Sequence, residues 1–298
     1  MRMIATWALA LSFSGLAVAI EPANEQGLSA IQIVEKNVAA RGGLDAWRKV
    51  QSMVWIGHIE GANVPEPRLP FALEMKRPNK TRFEVKAQGQ TSVRMYDGAH
   101  GWKVRPSGNG RPDVQPYSSD ELRFARDGQV IDGPLMDYQA KGIAVALEGI
   151  DDVEGHKAYR LSVKLPSGNS HHVWVDAKTF LDIKYDRIFR NKFGQPGSVA
   201  VFYRNYQTIE GLQIPLMIES GADTGKVTEK LVIDKVSLNL PLEDRMFAQP
   251  GVPGRRSMAP AGINSPRAGR QMDGSALSMP AEMPRFSPQS VPGSGATH

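Results

Sequence analysis

Apolar residues alternate with polar or small ones through most of the segment from residue 53 to residue 240. The alternation is clearest in residues 69–76, 82–86, 159–165, 181–185 and 214–218. A period of two places successive side chains on opposite faces of a β-strand, so each of these segments has one apolar face and one polar face. The pattern therefore predicts ten or eleven antiparallel strands in a sheet with one buried face.

Turn sequences separate the predicted strands. Asp97-Gly98 and the Pro-Ser-Gly-Asn sequence at residues 166–169 are typical of β-hairpins. Asp176 is expected to cap a short connection, ending at residue 179, with its own side chain. Such short connections join strands that are neighbours in the sheet, which favours an antiparallel meander.

Helix signals occur before the strands and once between them. A capping box at residues 29–32 begins a first helix, and a short second helix follows at residues 44–50. Residues 118–128 and 134–142 predict two further short amphipathic helices, each with a start signal and a terminal glycine. Their apolar side chains need an apolar partner surface, so we expect these two inserted helices to cover the concave face of the sheet.

The two ends of the chain differ from its middle. A basic second residue, an apolar run and a small-residue triplet predict a signal peptide over residues 1–19, cleaved after Ala19. An uncleaved membrane anchor is the alternative. Residues 251–298 are rich in Pro, Gly, Ser, Ala and Arg without periodicity, which predicts a disordered tail. The folded domain is expected to span residues 20–250 and to work in the periplasm, which suits a chain without cysteine.

Charge and composition exclude several classes of function. Five of the 36 basic and two of the 31 acidic residues lie beyond residue 250 and one basic residue lies in 1–19, which leaves 30 basic and 29 acidic residues for the domain. Nucleic-acid binding is therefore not expected, although the arginines of the tail could contact anionic lipid or cell wall. Without cysteine or any G-x-S-x-G, H-E-x-x-H or phosphate-loop motif, we expect no catalytic, metal or cofactor site.

Five short motifs follow one another between Leu28 and Pro250. They are Ala40-Arg-Gly-Gly-Leu44, Tyr96-Asp-Gly-Ala-His-Gly-Trp102, Val173-Trp-Val-Asp-Ala-Lys-Thr179, Gly211-Leu-Gln-Ile-Pro215 and Val236-Ser-Leu-Asn-Leu-Pro-Leu242. Their order resembles the LolA/LolB-like superfamily of periplasmic, outer-membrane lipoprotein-sorting proteins. The resemblance implies a mainly β (α+β) fold, an unclosed antiparallel β-barrel with helices over its mouth. It also implies an apolar interior that carries lipid-modified clients across the periplasm, with inner- or outer-membrane proteins as further partners.

Side chains on the concave face are expected to form an apolar wall that holds acyl chains. The predicted wall consists of Phe71, Leu73, Met75, Phe83, Val85, Leu161, Ile183 and Tyr185. The two inserted helices are expected to form a movable lid through Leu122, Phe124, Leu135, Met136 and Tyr138. The alternative is that the helices fill the wall completely and make an ordinary closed core.

We therefore expect a periplasmic carrier or binding protein for a lipid or a lipid-modified protein, without a nucleotide or metal cofactor. Burial of a ~16-carbon chain supplies roughly 12 kcal/mol before the costs of association, at about 0.8 kcal/mol for each methylene. The first alternative is an envelope-stress regulatory module that binds a protein partner, as the RseB/MucB-type branch of the superfamily does. An envelope hydrolase is the second alternative.

Overall fold

Thirteen antiparallel strands form one sheet in the part of the chain that the computed structural model describes, which comprises residues 27–61, 65–108, 110–128, 131–190, 196–222 and 227–251. The predicted signal peptide, and the predicted tail beyond its first residue, lie outside these residues. The strands are β1 (Ser52–Gly61), β2 (Leu69–Lys76), β3 (Lys80–Ala87), β4 (Gln90–Tyr96), β5 (Gly101–Arg105), β6 (Asp113–Pro116), β7 (Ala144–Val153), β8 (His156–Lys164), β9 (Ser170–Asp176), β10 (Asp182–Arg190), β11 (Pro196–Ile209), β12 (Leu212–Ala222) and β13 (Val227–Leu238). The helices of the described residues are α1 (Ala30–Ala40), α2 (Leu44–Lys49), α3 (Ser119–Asp127) and one 3-10 turn (Asp244–Met246).

The sheet consists of two meanders that are joined through β1 and β13. Strands β1 to β6 are neighbours in the order of the sequence, strands β7 to β13 are as well, and β1 pairs with β13. Among the described residues β6 and β7 are the two edges of the sheet and do not pair with each other. The predicted fold is confirmed: the protein is mainly β and its sheet is an unclosed, curved barrel. The segment between β6 and β7 has to connect the two edges.

The sheet contains more strands than the ten or eleven that the alternation predicts. The shortest strand is β6, which has only four residues and lies at the edge formed by β4, β5 and β6. There Arg94, Lys103 and Gln115 are paired in register across the three strands. Arg94 also pairs with the apolar Phe83 of β3, so these three polar side chains lie on the same face of the sheet as Phe83. On the other face Val93 pairs with Val104 and Met95 with Trp102, so β4 and β5 keep the period of two, and only β6 is too short to show it.

The predicted turns are present and are stabilised by side-chain caps. Asp97 Oδ1 accepts a hydrogen bond from the backbone N–H of His100 at 2.7 Å in the β4–β5 turn, and residues 165–169 close the β8–β9 hairpin. Asp176 Oδ1 accepts from the backbone N–H of Thr179 at 2.6 Å, as predicted. Burial alone would raise the pKa of the Asp176 carboxyl, but the hydrogen bonds from Thr179 outweigh burial and hold this pKa below its ordinary value.

The N-terminal helices cover part of the concave face. The capping box that begins α1 is formed, with the Ser29 backbone N–H donating to Gln32 Oε1 at 2.9 Å. Helix α1 buries Ile33 and Val34, and α2 buries Trp47 in the same apolar cluster as the sheet. This packing stabilises two helices that are too short to persist in isolation.

The first inserted helix is confirmed as α3, but the prediction of a second helix over residues 134–142 is wrong. Residues 131–142 form consecutive turns. Gly133 and Asp137 both have left-handed backbone conformations, with φ of 73° and 54°. A residue with positive φ interrupts a right-handed helix, so the apolar spacing that suggested a helix has no regular backbone beneath it. In the described part of the chain, no helix combines the length and the apolar character needed to cross a membrane.

Candidate functional site

Seven of the eight predicted wall residues line one continuous apolar cluster. Phe71, Leu73, Met75, Phe83, Val85, Leu161 and Tyr185 are all buried in it, together with side chains of α1 and α2. The Phe71 and Phe83 rings, on neighbouring strands, have centroids 5.6 Å apart. The wall that the sequence predicts on the concave face is thus formed by strands β2, β3, β8 and β10.

Ile183 is the exception, because it lies on the opposite face of the sheet. Its side chain packs against a second, smaller cluster that contains Trp174 and Phe202. The register between β9 and β10 shifts between Asp182 and Lys184, so that Ile183 is the extra residue of a β-bulge. The bulge breaks strict alternation, which is why Ile183 and Tyr185, two residues apart, point to different faces.

The two halves of the predicted lid occupy different places. Leu122 and Phe124 on α3 are only half-buried and are not part of the main apolar cluster. Leu135 and Met136 have no exposed surface and lie inside the cluster, and Tyr138 packs against it. We name residues 131–143, whose apolar side chains fill the middle of the concave face, the plug segment.

Asp132 attaches the plug segment to the rest of the fold. Its carboxylate accepts hydrogen bonds from Arg77 Nη2 at 2.7 Å and from Lys141 Nζ at 2.6 Å, and its side chain is almost fully buried. Its backbone carbonyl accepts from Arg41 Nη1 at 2.9 Å. Burial lowers the pKa of Lys141, although the Asp132 carboxylate opposes this effect. Arg41 and Arg77 thus attach this residue to other parts of the chain, whereas Lys141 pairs with it inside the plug segment.

A second ion pair holds the plug segment at the surface. The Asp137 carboxylate accepts two hydrogen bonds from the Arg48 guanidinium of α2, each at 2.9 Å. The Arg48 side chain is more than half exposed, so solvent screens this pair. The plug segment is therefore attached by a buried contact at Asp132 and by an exposed contact at Asp137.

A buried polar group lies beside the plug segment between α1 and β10. Arg41 Nη1 is 3.4 Å from Asp182 Oδ2, and Asn37 Nδ2 donates to Asp182 Oδ1 at 2.9 Å. Complete burial raises the pKa of the Asp182 carboxyl, although Arg41 and Asn37 both favour its charged form. The Arg41 guanidinium also lies 4.8 Å from the centroid of the Trp47 ring.

The space left beneath the plug segment is small. A cavity of ≈ 50 Å³ is lined by residues that include Trp55, Pro134, Tyr185 and Ile214. A cavity of this volume holds a few water molecules and has no room for an acyl chain. In this conformation the plug segment covers the wall and packs with it in one apolar cluster.

Helix α3 lies over the polar end of the concave face. Glu121 accepts hydrogen bonds from Arg94 Nη2 at 2.8 Å and from Lys103 Nζ at 2.9 Å. The Tyr117 ring lies 4.8 Å from the Arg94 guanidinium and directly against Gly101, where a Cβ atom would come within 2.1 Å of the ring. Burial opposes ionisation of Glu121, but Arg94, Lys103 and the Ser118 backbone N–H outweigh it and lower its pKa to about 2.

The sequence carries no signal for these charged contacts. Arg77 is 55 residues from Asp132, and although Lys141 is only nine residues from Asp132, none of the three belongs to a motif. Only the capping box of Ser118 and Glu121 is visible in the sequence, and it explains just one of the contacts of the Glu121 carboxylate. In the described residues no three His, Cys, Asp or Glu side chains are grouped so that they could hold a metal ion.

We expect acid to weaken the docking of α3. Because the pKa of Glu121 falls from 4.5 to about 2 on folding, its ion pairs stabilise the docked helix above pH 4.5, and this stabilisation is lost as the pH falls toward about 2. Amide exchange of α3, corrected for its intrinsic pH dependence, should accelerate over this interval. Helix α1, whose capping box contains no carboxylate, is the control, and equal acceleration in both helices would contradict a role for Glu121.

No family model and none of the curated proteins matches this chain in sequence. Three solved structures are similar in fold. A DUF1329 family protein from Desulfovibrio piger has 13% sequence identity and a TM-score of 0.48, over 74% of this chain and 97% of that one. A domain described as an outer membrane lipoprotein-sorting protein, from Vibrio parahaemolyticus, has 13% identity and a TM-score of 0.49 over 73% and 95%. A LolA superfamily protein from Nitrosomonas europaea has 17% identity and a TM-score of 0.46 over 74% and 98%.

At these identities the likeness is one of fold, and it assigns no ligand to this chain.

Proposed function

We propose that the protein binds the acyl chains of a lipid or of a lipid-modified protein along the concave wall, in place of the plug segment. The observation that carries the proposal is the way the wall is covered. Leu135 and Met136 fill it, yet they belong to a segment of turns and not to a helix or strand. The backbone hydrogen bonds of this segment, such as Ile143 N–H to the Tyr138 carbonyl at 2.9 Å, are local. The segment can therefore leave without breaking the sheet.

The plug segment and an acyl chain bury comparable amounts of apolar surface. Burial of a Leu, Ile or Met side chain stabilises by about 1.5–3 kcal/mol, so exposing Ile131, Leu135, Met136 and Ile143 costs roughly 6–12 kcal/mol. An acyl chain of ~16 carbons supplies roughly 12 kcal/mol before the costs of association are subtracted. The two gross terms are of similar size, which supports an exchange that can run in both directions and lets the ligand be released.

The proposed place of action is the periplasm, after residues 1–19 have been removed. The proposed partners are lipids or lipid-modified proteins, together with membrane proteins that load and unload them. Residues 20–250 act by binding, with no nucleotide or metal required. Two features support this function: the wall is apolar, as a hydrocarbon chain is, and the plug segment occupies the place that such a chain would take.

Hydrogen exchange with a long-chain fatty acid or lysolipid tests the proposal. We expect the plug segment to exchange faster than β1 to β3 in the free protein, because it forms no strand pairs. Saturating ligand should change the exchange rate of the plug segment further and leave the exchange rates of the strands unchanged. A folded, monomeric protein that binds no fluorescent acyl probe at micromolar concentrations would overturn the proposal and leave the regulatory module as the better hypothesis.

A further inference from the structure

We propose that Arg94 and Lys103 form a binding site for the phosphate group of an acylated ligand, and that Glu121 of α3 occupies this site in the free protein. The inference rests on the proposed function and deepens it, since it assigns the polar end of the ligand to a place on the sheet. The ligand class is a lipid whose headgroup is a phosphate monoester.

The register of the sheet brings the apolar wall and the two cations into one row. Trp55 pairs with Leu73, Leu73 with Phe83, Phe83 with Arg94, and Arg94 with Lys103. Residues that are paired in this way have side chains on the same face, and neighbouring strands are about 4.8 Å apart. The concave face therefore changes from hydrocarbon to positive charge within one strand spacing. A chain along Leu73 and Phe83 would place its headgroup beside Arg94.

The two cations need an anion between them. Like charges directly opposite each other on neighbouring strands destabilise a sheet. In the free protein Glu121 separates Arg94 from Lys103, and its carboxylate accepts one hydrogen bond from each. If α3 lifts, both cations lose this partner at once. A phosphate monoester, with a charge of about −1.5 to −2 at pH 7, compensates two cations better than one carboxylate does.

Glu121 also leaves part of the site unused. Arg94 Nε is buried and has no hydrogen-bond partner among the described residues, while its Nη2 donates to Glu121. A guanidinium presents Nε and Nη2 as a fork that matches two oxygens of a phosphate. A phosphate group can therefore satisfy a donor that the Glu121 carboxylate does not reach. The Tyr117 ring beneath the guanidinium keeps Arg94 in its orientation.

The experiment compares 1-palmitoyl lysophosphatidic acid, 1-palmitoyl lysophosphatidylcholine and inorganic phosphate on the full chain. Glu121→Gln removes the competing charge and keeps the capping box, because glutamine caps as glutamate does. It should bind the lysophosphatidic acid about tenfold more tightly than the wild type, with little change for the choline lipid. Asp120→Asn is the matched control, since Asp120 pairs with the exposed Arg123 and not with Arg94. Arg94→Gln and Lys103→Gln should each abolish the preference for the phosphate monoester.

Each other outcome decides against part of the proposal. Equal tightening of both lysolipids by Glu121→Gln would show that α3 only blocks access, and would overturn the phosphate site. Competition by inorganic phosphate at the same molarity as the lysophosphatidic acid would make free phosphate the ligand and overturn the headgroup assignment. If neither lysolipid binds any variant, the proposed function fails. The phosphate site is then tested separately with inorganic phosphate. It should raise the melting temperature of Glu121→Gln but not that of Arg94→Gln, and any other result would overturn the phosphate site as well.

Discussion

Replacing Asp132 with alanine is expected to release the plug segment from the sheet. The substitution leaves Arg77 and Lys141 without their shared carboxylate, and loss of one partner from a buried ion pair costs about 3–5 kcal/mol. If this cost falls on the closed conformation alone, the amides of residues 131–143 should exchange roughly 10²–10³ times faster. An acyl probe should bind more tightly, since closure no longer competes as strongly with the ligand.

Asp137→Asn is the matched control for this prediction, because asparagine adopts the left-handed backbone of this position (φ 54°) more readily than alanine does. This substitution removes one negative charge from the plug segment, as Asp132→Ala does. Because Arg48, the partner of Asp137, is more than half exposed, the amides of the plug segment should accelerate much less. The exchange of β1 to β3 decides how the result is interpreted. If these strands open together with the plug segment in Asp132→Ala, then the segment is part of one cooperative core, and the proposed exchange with a ligand is wrong.

The fold could be predicted from the sequence because each strand carries its own signal. In β2 the apolar Leu69, Phe71, Leu73 and Met75 are all buried, and the polar or small residues between them are not. A period of two needs no knowledge of distant residues, and the hairpin turns set the order of the strands. The same local signals identified α1 and α3 through their capping boxes.

The site was less predictable because it depends on departures from regular structure. The bulge at residues 182–184 moved Ile183 to the other face, and its sequence does not differ from that of an ordinary strand. The plug segment has helical spacing of apolar residues, but the positive φ of Asp137 makes it a series of turns. The pairing of Arg77 with Asp132 joins residues 55 positions apart, which no pattern in the sequence specifies.

Leu73→Asp is expected to lower the affinity for a fluorescent acyl probe by at least about a hundredfold. Leu73 has no exposed surface and lies in the middle of the wall, between Trp55 and Phe83 on the neighbouring strands. A carboxylate there would have to be dehydrated by an acyl chain, and burial of an unpaired charge costs several kcal/mol. The plug segment meets the same penalty, so its closed conformation should also be destabilised.

The separation of binding from folding makes the Leu73→Asp prediction decisive. If the plug segment can leave, the aspartate reaches water, so the strands stay paired and protected while the segment exchanges freely and the probe no longer binds. Ile150→Asp introduces the same charge at a side chain that is 59% exposed on β7, and it should change neither the melting temperature nor the affinity. Leu73→Met keeps an apolar side chain of similar volume and should retain binding. Global unfolding of Leu73→Asp, with loss of protection in every strand, would show that the wall is a permanently closed core.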